Sequence, residues 1–149
     1  MGSWEARGSR LGKRRIAREL GLKLLYQLEL VRPEAHEATI RTFWEDHPAD
    51  TDVELFASIL VKKVIDHQPK IDEIIKESVD NWELDRIARV ERNLLRLATA
   101  EMLYLDDVPP KASINEAIEI AKMYGSTKRS FQFVNGVLNN VYRRYVIKG

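Results

Sequence analysis

The stretch VERNLLRLATAEMLYLDDVPPKASINEAIEIAKMYG, residues 90–125, decides the fold class. Leu94, Ala98, Met102 and Leu105 recur at steps of three and four, with Ile87 one repeat upstream, which predicts a helix over about 84–105. Pro109 and Pro110 break it. Ser113 and Glu116 then read as a capping box opening a second helix, which carries Ile114, Ala117, Ile118 and Ala121 inward. Gly125 reads as its C-terminal stop. Two apolar-faced helices on a short connection describe a helical bundle.

Outward from this stretch the same period repeats. A helix is predicted over 14–31, ended by Pro33, and a short one over 35–45 holds Ile40, Phe43 and Trp44 before Pro48. Thr51 and Glu54 form a second capping-box pattern for a helix with Leu55, Phe56, Ile59, Leu60 and Val64 inward. Pro69 opens another, with Ile71, Ile74, Ile75, Val79 and Trp82 on one face. The last carries Val134, Val137, Leu138, Val141 and Tyr145. The expectation is an all-α, compact single-domain bundle of about seven helices, with residues 1–12 a flexible basic tail and 13–149 the folded domain.

Composition narrows the chemistry. The chain has 149 residues, 44% hydrophobic and 32% charged, and contains no cysteine. Disulfides and thiolate metal sites are thereby excluded, and a reducing cytoplasm is compatible. No apolar run reaches the roughly 20 residues of a membrane span, and the first ten residues lack the apolar segment of a secretion signal. The seven glycines are scattered rather than gathered in a phosphate loop, and His36, His47 and His67 lack metal-ligand spacing. The reading is non-enzymatic, with neither cofactor nor metal expected.

The net charge of +1 conceals an asymmetry: seven Lys/Arg against Glu5 and Glu19 give residues 1–23 a balance of +5. Within KRRIAREL, residues 13–20, Lys13, Arg14, Arg15 and Arg18 open a helix, where the macrodipole favours acids instead. A polyanion partner and a solvated arm are equally good readings of composition alone. The same helix bears two apolar stripes: Ile16, Ala17, Leu20, Leu24, Leu28 and Val31 form one, and Leu22, Tyr26 and Leu30 the other. A helix apolar on two sides is either buried all round or docks a partner.

In FQFVNGVLNN, residues 131–140, Gly136 interrupts a helical pattern at a cost of about 1 kcal/mol against Ala. Close helix–helix approach is the expected compensation. Phe131 and Phe133 stand beside Lys128 and Arg129, a pairing that suits stacking on unpaired bases or a hydrophobic staple. For Phe131 the staple is the expectation.

Together KRRIAREL, the segment over 90–125 and FVNGVL resemble the bacterial NusB family of transcription antitermination factors, over most of residues 13–145. The resemblance implies a non-catalytic RNA-binding protein of the cytoplasm. Such a protein binds single-stranded boxA RNA together with the ribosomal protein NusE and joins an antitermination complex on RNA polymerase, chiefly in ribosomal RNA operons. It assigns RNA contacts to Lys13, Arg14, Arg15, Arg18 and Phe133, and NusE contacts to Tyr26, Asp85 and Glu91. Both monomers and homodimers occur in the family. Ile16 stands where some relatives carry another arginine, and Lys128 and Arg129 stand where acids are frequent, which adds both to the expected RNA surface.

The alternative reading is the NusB-like RNA-binding domain of a ribosomal RNA methyltransferase, which would need a catalytic domain beyond Gly149. A helical DNA-binding regulator would want a short helix-turn-helix, and no such pattern stands out.

Overall fold

A computed structural model describes residues 10–79 and 84–147, the side chains of Arg10, Leu11 and Asp85 excepted. Every regular element among them is helical. The helices are α1 (Arg10–Glu29), α2 (His36–Asp46), α3 (Thr51–Ser78), α4 (Arg89–Tyr104), α5 (Pro110–Tyr124) and α6 (Ser130–Val141). Short 3-10 turns lie at Pro33–Ala35 and Leu84–Arg86, and α6 runs into a π-helical turn over Tyr142–Val146. No helix among the described residues is long and apolar enough to cross a membrane. Trp82 and most of the expected tail over 1–12 lie outside the described residues.

The chain forms two compact units, residues 1–61 and 62–149. In the first, α1 packs on α2. Ala17, Leu24, Leu25, Leu28, Phe43 and Leu60 are all buried there. The second apolar stripe of α1 is graded: Leu22 is 4% exposed, Tyr26 is half-buried, and Leu30 is 57% exposed. Leu55 and Ile59 were expected inward but are exposed, and Val53, Ala57 and Val61 take the buried positions beside Phe56 and Leu60. Phe56, Leu60 and Val64 stay buried, and the apolar face of α3 is turned by roughly 80°, under a quarter of a turn, from the expected one.

In the second unit α4, α5 and α6 pack on one another. Their buried residues include Leu94, Leu95, Ile114, Ala117, Ile120, Val134 and Leu138, with Ile71 and Ile75 of α3 also fully buried. Three sequence expectations need correction at helix starts. The predicted pair of helices meeting at Pro69 is one element, α3, bent at His67 (φ −123°, ψ 16°). Proline removes one backbone donor and its ring crowds the carbonyl four residues earlier, which kinks a helix without having to end it. Likewise α5 starts at Pro110, the favoured first helical position, three residues before the expected cap. Ser113 is buried inside it, and its Oγ finds no partner among the described residues. Thr51 is already helical, since the Asp50 carbonyl accepts from the Glu54 N–H at 2.9 Å.

The glycines also differ from expectation. Gly125 ends α5 at φ −58°, so its backbone needs no special freedom. A Cβ there would overlap Ser130 and the Ala121 carbonyl, so close approach requires the glycine. Gly136 is the reverse case: among the described residues no atom lies within 4 Å of a Cβ built on it. The expected close helix–helix contact at Gly136 is absent from the described structure.

One buried ion pair was not foreseen. Arg96 of α4 donates from Nε to Asp72 Oδ1 at 2.8 Å and from a terminal nitrogen to Oδ2 at 3.1 Å, with another terminal nitrogen on Asn93 Oδ1 at 3.1 Å. The two-pronged geometry joins α3 to α4, and Arg96 is 7% exposed. Removing the carboxylate takes two hydrogen bonds and the counter-charge from a buried guanidinium, so Asp72→Ala should cost about 3 kcal/mol in urea unfolding. A loss below about 0.5 kcal/mol would place this contact among ordinary surface pairs.

Candidate nucleic-acid interface

The cations of α1 stand on a helix whose first turn has no acidic residue. Phe56 on α3 supplies their platform. The Arg14 guanidinium lies 4.3 Å from the centre of its ring and that of Arg18 lies 5.5 Å away. Such contacts contribute about 0.5–2 kcal/mol each, more when water is excluded. Arg18 is only 5% exposed, so it belongs to this packing and not to the open surface. Lys13 meets Asp52 at 3.2 Å and Asp50 at 3.6 Å. The hydrogen bond to Asp52 raises the Lys13 pKa, and the same bond lowers that of Asp52. The pair is exposed, and a phosphate can compete for the lysine. Arg15 is half-buried. Of the four expected cations, Lys13, Arg14 and Arg15 are half-buried and Arg18 is buried.

The second unit holds the other expected residues around one buried carboxylate. Glu91, in the first turn of α4, is 4% exposed. Ser130 Oγ donates to its Oε2 at 2.5 Å, the Ser126 backbone N–H donates to Oε2 at 2.7 Å, and Ser126 Oγ reaches both oxygens at 3.0 Å. Burial would raise the pKa of this carboxyl, but the donors on Ser130 and Ser126 outweigh it and hold the value below the ordinary glutamate range. The expectation that Glu91 offers a surface carboxylate to a partner is corrected here. Its charge is spent on closing the loop between α5 and α6.

That loop carries Lys128 and Arg129, both exposed. Ser130, gripped by Glu91, is the first residue of α6, so the same contact sets where α6 and its Phe133 begin. Phe133 is half-buried and lines a cavity of about 330 Å³ with Arg86, Ile87, Thr127 and Arg129. Phe131 is half-buried, with Lys122 Nζ 5.4 Å from its ring centre. The structure thus brings Lys128, Arg129 and Phe133 to one end of α6. Tyr26 is half-buried on α1, and the Asp85 side chain lies outside the described residues.

Phe56 is expected only as a core residue, and neither its hold on the two arginines nor the Ser126–Ser130 clasp is legible in the sequence. Both act across long sequence separations, and only the glycine before Ser126 hints at a tight corner. The histidines are engaged structurally: His36 and His47 bond the carbonyls of Leu28 and Phe43, and His67 stacks on Tyr104 at 4.0 Å. Among the described residues no cluster could hold a metal ion.

Glu91→Gln keeps the shape but replaces an acceptor with a donor facing Ser126 and Ser130. It should cost about 1.5–3 kcal/mol at neutral pH by thermal or urea unfolding. Because the folded pKa is depressed, the wild-type advantage is complete above the unfolded value near ~4.3 and disappears as pH falls through the folded one. The two stabilities should therefore converge in acid. A gap that is constant with pH would mean that the carboxylate charge is not what closes the loop.

Comparison with known proteins bears on the family. The NusB family model matches residues 15–143. Transcription antitermination protein NusB of Chloroherpeton thalassium is 46% identical over 136 residues, covering 91% of this chain and 64% of that protein. Its counterpart in Bacillus subtilis is 44% identical over 130 residues, covering 87% and 94%. The chain thus spans just under two thirds of the first relative and nearly all of the second. The structure of T. maritima NusB superposes with a TM-score of 0.81 at 36% identity, covering 91% of this chain and 94% of that one. A structure of antitermination factors NusB and NusE in complex with dsRNA gives 0.79 at 30% identity, covering 89% and 98%. With most of its length matched by the family model, this chain belongs to the NusB family.

Proposed function

We propose that this protein is a non-catalytic RNA-binding adaptor in transcription antitermination. In this reading it binds single-stranded boxA RNA together with NusE, and the pair joins an antitermination complex on RNA polymerase, chiefly on ribosomal RNA operons in the cytoplasm. The observation that carries the reading is the anchoring of cations on α1. Arg14 and Arg18 stack on Phe56, so positive charge is held in place at the helix end that the macrodipole makes least hospitable to it. A phosphate backbone is the partner that such an arrangement favours. The solved neighbour holding both NusE and RNA supports a shared RNA surface.

The roles divide by chemistry. Lys13, Arg14 and Arg15 meet phosphates, with Lys13 exchanging Asp52 for the ligand, while Arg18 stiffens the platform beneath them. Lys128 and Arg129 add charge beside Phe133, whose ring stacks on a base. Tyr26 anchors NusE through a half-buried ring with a polar tip.

Affinity for single-stranded RNA should fall with salt at about 0.7 logarithmic units per phosphate contact. Arg14→Ala with Arg15→Ala should flatten that slope by roughly 1.4 while circular dichroism stays helical. An unchanged slope would remove α1 as the phosphate contact. Separately, Tyr26→Asp should weaken NusE binding by about 2 kcal/mol or more in calorimetric titration. Wild-type affinity in the folded variant would take Tyr26 out of the partner surface.

A further inference from the structure

Gly136 lies in the middle of α6, where glycine is less favourable than alanine. Its φ is not in the left-handed region, and no described atom lies within 4 Å of a Cβ built on it. Neither the backbone nor the described packing asks for glycine. What a bare helix backbone does provide is room for close approach.

The surroundings indicate what fits there. Gln132, Phe133, Asn139, Asn140 and Arg143 flank Gly136 at steps of three, four and seven, which places them on one helix face. They line a groove of about 400 Å³, and no Asp or Glu among the described residues lines it. Asn140 fixes the Arg143 end: its Nδ2 donates to the Ser78 carbonyl at 3.0 Å, and its Oδ1 accepts from the Arg143 guanidinium. Asn139 Nδ2 donates to the Asn135 carbonyl at 2.9 Å. The groove therefore runs from an aromatic ring, past carboxamides and a bare glycine, to a held cation. Ten helical residues make that path ~15 Å long.

We propose that this face of α6 is a track for single-stranded RNA beyond Phe133. A base stacks on Phe133, the sugar–phosphate backbone lies against Gly136, carboxamides of Gln132 and Asn139 meet base edges, and Arg143 holds a phosphate. Phe133, Val79 and Val137 give the groove its apolar lining, and Gln132, Asn139, Asn140 and Arg143 line it with no described acid to repel a phosphate, which favours a nucleic-acid strand. The inference rests on the proposed RNA-binding function and extends it to residues which that reading does not use.

The test sets stability against affinity in Gly136→Ala, using the full chain and boxA RNA. Alanine should raise Tm by about 2–4 °C, since the helix gains and nothing described is struck. RNA affinity should fall about tenfold, because the Cβ holds the backbone off. Gly136→Gln, with a longer side chain, should lower affinity further, and Arg143→Ala should lower it with a shallower salt slope. Wild-type affinity in both glycine variants overturns the track, and so does a lowered Tm, which would give the glycine a structural duty. Loss of NusE binding with RNA binding intact also overturns it in favour of a protein groove. If the wild-type chain itself fails to bind the RNA, the function reading falls and the track with it.

Discussion

A carboxylate buried at the start of α4 organises the second unit. Glu91 gathers donors from Ser126 and Ser130, and through them it closes the α5–α6 corner and fixes the first residue of α6. A buried charge is tolerable only when its lone pairs are filled, and here two hydroxyls and one backbone N–H fill them. The clasp requires Gly125, since any side chain there would collide with Ser130. Lys128, Arg129, Phe133 and the face around Gly136 all descend from this corner. A loop rich in exposed cations would otherwise repel itself and wander; tied at both ends to one acid, it presents a defined surface.

The first unit solves a related problem with a ring in place of an acid. The first turn of α1 holds no acidic residue beside its cations. Phe56 receives two of them on its face, and Asp50 and Asp52 receive the third. The aromatic face fixes two guanidinium groups in position. The carboxylates at Lys13 make that contact exchangeable. The two units thus arrive at cationic surfaces by different chemistry, one through a ring and one through a clamped loop.

Much of this was legible in the residues. The step of three and four over Leu94–Leu105, the proline breaks and the glycine at 125 announced a helical bundle, and KRRIAREL announced its basic end. What escaped were effects decided by tertiary partners. Pro69 reads as a boundary, yet α3 continues through it with a kink at His67, because the local rule costs a hydrogen bond and does not forbid the helix. Leu55 and Ile59 read as core because two adjacent helical faces were both apolar, and packing selected the one bearing Val53, Ala57 and Val61. Glu91 reads as a surface acid because its serine partners lie more than thirty positions away. Gly136 reads as a helix–helix contact by the usual logic of glycine in bundles, yet no described atom lies within 4 Å of a Cβ built on it.

Amide spectra of the isotopically labelled chain, titrated with single-stranded boxA RNA, test the account most directly. The amides of residues 13–18 and of 126–143 should shift together and saturate at one affinity, with Gly136 among the largest changes. Amides of α2 should hold still. Saturating shifts confined to α2, or binding that leaves residues 126–143 unmoved, would contradict the account.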